Sequence, residues 1–311
     1  MTRHFLRDDD LSSKEQAAVL SLAKKLKADR FTQRPLEGPK TVAVVFDKPT
    51  LRTQVSFTTG IAELGGFPMV VDGRLAKIGE RESIADTARV LGRQVSAIVW
   101  RTYDQSRIEA MAEYAGVPVV NALTDQFHPC QLLADLQTIQ EHKGALKEVT
   151  VVFLGDAASN MSHSYLLAGA RAGMHVRVSG PDGFGPDPKL FVDAQAIAEG
   201  SGGSASYVLD PHEAVSGADV VVTDTWVSMG KEDESEDRAK PFEPYAVTDN
   251  LLAEADDEAI VMHCLPAYRG KEIATSVIDG PRSVVWDEAE NRLHAQKALL
   301  TWLLKHQDGT K

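Results

Sequence analysis

At 311 residues the chain is long enough for two domains with a core each, and 43% hydrophobic against 25% charged residues is the balance of a globular protein. A net charge of −12 excludes a general binder of nucleic acid or membrane surfaces. It leaves room for an anionic substrate, because a local cluster of Arg and His reverses the field inside one cleft. The two cysteines, Cys130 and Cys264, lie far apart, which excludes a disulfide framework and fits a reducing compartment. No apolar run reaches membrane-spanning length, and Met1–Asp10 lacks the apolar core of a signal peptide, so a cytoplasmic location is expected.

Ser12-x-x-Glu15 is a capping box, and Val19, Leu22, Ala23 and Leu26 follow on one face, predicting a helix over 13–28. Thr41–Phe46 is a continuous apolar run of the kind buried on both faces of a sheet. A polar turn, Asp47 to Gln54, leads from it into a helix carrying Phe57, Ile61 and Leu64. Such a helix start presents unpartnered N–H groups and the positive end of the dipole; with the hydroxyls of Thr50 and Thr53 and the guanidinium of Arg52 it suits a phosphate. A plain structural turn explains the same residues taken alone.

Further strands are predicted at 69–71, 97–100 and 117–120, with helices at 83–91, 108–114 and 132–140. Around Gly144–Val149 the pattern pauses, and then the alternation restarts. Strands at 149–154, 175–179, 207–209, 219–223, 259–263 and 284–286 are interleaved with helices at 161–172, 189–199 and 290–304. This predicts an α/β protein of two parallel-sheet domains with an active-site cleft between them. Residues 1–145, joined by a closing helix over 289–311, form the first domain, and 146–288 the second.

Ligands of such sheets collect beyond the carboxyl ends of the strands. Reading past those ends gives Thr50–Thr53, Arg101, His128 and Gln131 in the first half. The second half gives Asp156–Asn160, Asp224–Met229 and His263–Pro266. Caps and turns account for one or two polar strand ends, not six, so the pattern favours an enzyme. Asp224 at a buried strand end is costly without a cationic partner. The nine histidines are dispersed without ligand-like spacing, so neither a metal nor any other cofactor is expected. Gly155–Asn160 lacks the glycines of a dinucleotide fingerprint.

Four segments, Phe127-His-Pro-Cys-Gln131, Asp224-Thr-Trp-Val-Ser-Met-Gly230, His263-Cys-Leu-Pro266 and Glu290-Asn-Arg292, occur in an order and spacing that resemble the ornithine carbamoyltransferases of the aspartate/ornithine carbamoyltransferase family over essentially the full chain. The resemblance implies a carbamoyl-phosphate domain, an amino-acid domain, a homotrimer with active sites near the subunit interfaces, and synthesis of citrulline without a covalent intermediate, in arginine biosynthesis. It assigns the phosphate to Thr50, Leu51, Arg52 and Thr53, with Arg101 bridging to the carbonyl oxygen. It assigns the carbamoyl group to His128, Gln131, Cys264, the Leu265 carbonyl and Arg292. Catalysis falls to Arg101, His128 and Cys264, the last orienting the attacking amine. Asn160 and the Met229 amide take the α-carboxylate of ornithine, and Asp224 and Ser228 its α-ammonium. The charged run Lys231–Arg238 corresponds to a closing flap.

The chain departs from the family's Ser-Thr-Arg-Thr-Arg signature, reading Thr50-Leu-Arg-Thr-Gln54. Gln54 removes a cation; Lys77 is the candidate to replace it, reaching a neighbouring subunit's phosphate. Pro-Thr-Leu-Arg-Thr also resembles enzymes acting on N-acylated ornithine, whereas Ser228-Met-Gly230 goes with free ornithine. A reading of another class is a non-catalytic relative that only binds phosphate or amino acid. Leu51 and Gln54 motivate it; His128, Gln131, Asp224, Cys264 and Arg292 count against it.

Overall fold

The computed structural model describes residues 2–226 and 239–306. Two compact units account for the chain, one of residues 1–137 with 290–311 and one of 138–289.

In the first unit, β1 (Thr41–Phe46), β2 (Phe67–Asp72), β3 (Ala97–Arg101) and β4 (Val119–Leu123) form a parallel sheet in the order β2-β1-β3-β4. The inner strands are apolar over most of their length and buried, as a sheet covered on both faces requires, whereas the edge strand β2 is partly exposed along its length. The helices are α1 (Ser13–Ala28), α2 (Arg52–Glu63), α3 (Ile84–Leu91), α4 (Gln105–Ala115) and α5 (Pro129–Lys143). Helix α1 starts where its capping box puts it, Ser12 and Glu15 satisfying each other's backbone N–H. Helix α2 starts before the apolar periodicity does, so Arg52 sits in its first turn.

The second unit repeats the plan with β5 (Thr150–Leu154), β6 (His175–Ser179), β7 (Ser204–Val208), β8 (Val220–Thr223) and β9 (Ile260–His263), all parallel, in the order β7-β6-β5-β8-β9. Its longer helices are α6 (Asn160–Arg171), capped by Ser159, and α7 (Pro188–Ser201), capped by Asp187 ahead of a proline. The last helix is α8 (Val285–Lys305). The boundaries between the units fall inside α5 and α8.

The strand expected at 284–286 is the first turn of α8. Ser283 makes only an isolated bridge to Val261, and Trp286 is largely exposed. Asp287 and Glu288 supply negative charge to that turn, and Glu288 Oε2 accepts from the His263 N–H at 2.8 Å. A three-residue apolar run does not by itself tell a strand from a helix start.

Each sheet changes its winding direction once, between β1 and β3 in the first unit and between β5 and β8 in the second. Such switch points leave a crevice at the carboxyl ends of the strands. Gly155, directly after β5, has φ 125° and lies against Trp226, whose indole would be 3.3 Å from any Cβ placed there. Only glycine satisfies both demands.

Candidate active site

In the first unit the switch point is flanked by the β1–α2 turn and the end of β3, with β4 and the start of α5 alongside. The register pairs Phe46 with Arg101 and Arg101 with Leu123, so Arg101 lies between the two loops that carry Arg52 and His128. Leu51, at the N-cap of α2, has no side-chain capping bond and is 73% exposed; Thr50 is half-buried and Thr53 buried. The N-terminus of α2 is thus offered with its dipole uncompensated by a side-chain cap.

His128 directly precedes α5 and is buried. Burial first, then the charges of Arg292, Arg101 and Arg52, hold its pKa well below 6.5. A ring that feels three guanidiniums stays neutral at pH 7, and a neutral imidazole both donates and accepts. Around it lies a concentration of positive charge in a chain whose overall sign is negative. An anion matches that field.

Arg292 comes from α8. It donates through Nη1 to Gln131 Oε1 and through Nη2 to Thr53 Oγ1 at 3.2 Å. Gln131 in turn donates through Nε2 to the buried Asp135 at 2.8 Å, one turn along α5. Since Arg292 can only donate, Thr53 Oγ1 accepts from it and keeps its own proton to give elsewhere. Helix α8 is anchored against this unit by Lys297, fully buried, whose ammonium meets Glu63 at 2.5 Å; Arg30 pairs with the same carboxylate. The structure therefore gathers Arg52, Thr53, Arg101, His128, Gln131 and Arg292.

Lys77 stands outside this group. It is exposed, ends a short helical turn (Gly73–Ala76) with φ 51°, and its side chain makes no hydrogen bond or ion pair among the described residues. Gln54 is exposed on α2.

In the second unit Asn160 begins α6 after β5, Asp224 follows β8, and Cys264 follows β9; Leu154, Thr223 and His263 are neighbours in register. Asp224 and Cys264 touch, the thiol donating to Oδ1 at 3.2 Å, and the Thr225 N–H donates to the same oxygen at 2.8 Å. Among the described residues Oδ2 has no partner, so this half-buried carboxylate has an oxygen to offer an ammonium. Leu265 adopts φ 59°, a costly conformation for a branched side chain, and its N–H donates to His263 Nδ1 at 2.9 Å. The other ring nitrogen faces Glu272 at 3.2 Å. Ligand atoms of Asp224, His263 and Cys264 lie within 4.8 Å of one another, a spacing a cation could bridge. Both His263 nitrogens are already engaged, so ligation there would first break one of those bonds. Ser228, Met229 and the Lys231–Arg238 run lie outside the described residues.

Reading strand ends passed over Asp135, Ser56 and Gln296, which support the first group from inside helices. The signal available for two of them was helical spacing: Asp135 follows Gln131, and Gln296 follows Arg292, by four residues.

Residues 3–141 match the model of the aspartate/ornithine carbamoyltransferase carbamoyl-P binding domain, and 147–303 that of the Asp/Orn binding domain. The chain is 62% identical over 305 residues to an ornithine carbamoyltransferase of Clavibacter sepedonicus, covering 98% of this chain and 99% of that one. It is 60% identical over 305 residues to that of Mycobacterium ulcerans, with the same coverage of 98% and 99%. Among solved structures, the ornithine carbamoyltransferase of Pyrococcus furiosus is similar at TM-score 0.94 and 46% identity, covering 98% of both chains. An anabolic ornithine carbamoyltransferase from Campylobacter jejuni matches at TM-score 0.92 and 35% identity, over 98% of this chain and 100% of that one.

Proposed function

Because the chain belongs to the aspartate/ornithine carbamoyltransferase family, we propose that it transfers the carbamoyl group of carbamoyl phosphate to the δ-amine of L-ornithine, giving L-citrulline and phosphate. The observation that carries this reading is His128, buried and neutral under the charges of Arg292, Arg101 and Arg52. Carbamoyl phosphate is an anion with a carbonyl beside its phosphate, and those groups suit both parts of it.

The phosphate rests on the N-terminus of α2, on Thr50, Leu51 and Thr53 and on Arg52. Arg101 spans phosphate and carbonyl oxygens. His128 and Arg292 donate to the carbonyl oxygen, and Gln131 fixes the amide. As the deprotonated δ-amine attacks the carbamoyl carbon, negative charge grows on that oxygen; donors already in place stabilise it without reorganising. The oxyanion then collapses and the C–O bond to phosphate breaks, while the attacking nitrogen passes its surplus proton to the leaving phosphate, which remains as the hydrogen-phosphate dianion on Arg52 and the helix end. In the second unit Asp224 and Ser228 hold the α-ammonium, Asn160 and the Met229 amide the α-carboxylate, and Cys264 orients the amine. The contact between the Cys264 thiol and the Asp224 carboxylate fits that role better than nucleophilic attack, because the thiol proton is engaged on that carboxylate.

Residues 1–145 with 289–311 serve carbamoyl phosphate, and 146–288 serve ornithine. The working assembly is a cytoplasmic homotrimer in which Lys77 reaches a neighbouring subunit's phosphate. Its place is arginine biosynthesis. Arg52→Ala tests the phosphate assignment: turnover is lost, whereas Gln54→Arg, at an exposed position, changes it by no more than about threefold. Equal activity of Arg52→Ala and the parent contradicts the assignment.

A further inference from the structure

We propose that Gln296 is a positioning residue for the capture of carbamoyl phosphate, acting through the guanidinium of Arg292. This rests on the reading of Arg292 given above.

Gln296 lies on α8 one turn beyond Arg292 and is 1% exposed. One orientation of its amide satisfies both ends. The oxygen accepts from Arg292 Nε at 3.1 Å and Nη2 at 3.0 Å, and the nitrogen donates to Ser56 Oγ at 2.7 Å. The opposite orientation would press an NH₂ group against donor-only nitrogens, which decides between the two. An oxygen that takes two N–H groups on one edge of a guanidinium fixes its plane as well as its place. The other edge is thereby directed at Gln131 and Thr53, the contacts it makes in this structure.

The polarity of the network then follows without choice. Arg292 donates to Gln131, which turns its own NH₂ toward Asp135. It donates to Thr53 Oγ1, leaving that hydroxyl's proton for a ligand. Ser56 accepts from Gln296 and donates to the Thr53 carbonyl oxygen at 3.3 Å. The chain of bonds therefore runs from the closing helix back to the first turn of α2, where the phosphate is held. Removing the amide of Gln296 takes two N–H bonds from Arg292 and widens the range of rotamers its long side chain samples, at the expense of the pose that meets the ligand.

The test is steady-state kinetics of Gln296→Met, which keeps length and burial but has no acceptor. KM for carbamoyl phosphate rises about tenfold, the scale of one lost charged hydrogen-bond contact, while KM for ornithine at saturating carbamoyl phosphate stays within about twofold. In an Arg292→Lys background the same substitution adds less than about twofold, because its effect passes through the guanidinium. Ser56→Ala, a mild change on a different helix, raises the same KM about threefold and does so only while Gln296 is present. An unchanged KM in Gln296→Met overturns the proposal, as does a penalty repeated in full in the Arg292→Lys background. Should Gln296→Met fail to fold, an unchanged KM in Ser56→Ala overturns it instead. If Arg292→Lys itself matches the parent, the assignment of Arg292 to carbamoyl phosphate falls first and this proposal with it. If Arg292→Lys is impaired and Gln296→Met is not, only the positioning role is lost.

Discussion

Replacing His128 by Gln removes a titrating group from the centre of the cationic cluster, and the consequence can be worked out before any assay. In the folded protein His128 stays neutral, since burial and then Arg292, Arg101 and Arg52 oppose its charging. In the unfolded chain it titrates at its ordinary pKa, about 6.5. Above that pH neither state takes the proton, and stability is independent of it. As pH falls through 6.5 the unfolded chain gains a proton the folded one refuses, so stability is lost until the folded pKa is reached. Between pH 7.5 and 5.5 the loss from this group amounts to at most about 1.4 kcal/mol, the whole of it when the folded state takes up no proton in that range. Burial lowers the pKa of His4 and His294 too, but they are common to both proteins and cancel in the difference. Urea unfolding of parent and His128→Gln at the two pH values measures it directly. The parent should lose more stability than the variant on acidification, by up to about 1.4 kcal/mol. A difference between the proteins that is the same at both pH values would refute the neutral, buried imidazole.

The same substitution at pH 7.5 should lower kcat by about 10²–10³, the usual cost of one misplaced donor to a developing oxyanion. Cys264→Ser keeps a donor to Asp224 and should retain turnover within about tenfold, measured as citrulline formed; a loss beyond about 10⁴ would point to a covalent role. Lys297→Met leaves Arg30 as the one ion-pair partner of the buried Glu63 carboxylate among the described residues and should destabilise the protein by about 3 kcal/mol in urea unfolding, while a change below about 1 kcal/mol would mean the pair is not an anchor of α8.

The strands and most helix starts were legible because each is written in local physics. The valine runs of β1, β5 and β8 admit only a doubly covered sheet, and Ser12 with Glu15 places the start of α1 to the residue. Where only a few apolar residues carried the signal the reading failed, as at 284–286, where the acidic pair that follows decides for helix. Of the expected site residues, those that end strands, such as Arg101 and Asp224, could be found one by one from topology. The grouping of Arg52, Arg101 and His128 depended on the strand order β2-β1-β3-β4, and that of Asp224 with Cys264 on the order β7-β6-β5-β8-β9, which no local pattern contains. Gln296 and Ser56 were harder to find for a different reason: a buried polar residue inside a helix shows only its spacing from a known site residue, and spacing does not tell a supporting bond from a solvent-facing side chain. Lys77 was placed by resemblance alone, and among the described residues its side chain makes no hydrogen bond or ion pair.

The most direct measurement is ureido-product formation from carbamoyl phosphate with L-ornithine, N-acetylornithine, N-succinylornithine and putrescine compared as acceptors. Turnover confined to L-ornithine is expected, since Asp224 and Asn160 are assigned to a free α-ammonium and α-carboxylate. Preference for an acylated acceptor would contradict the amino-acid assignment, and no product with any acceptor would contradict catalysis itself.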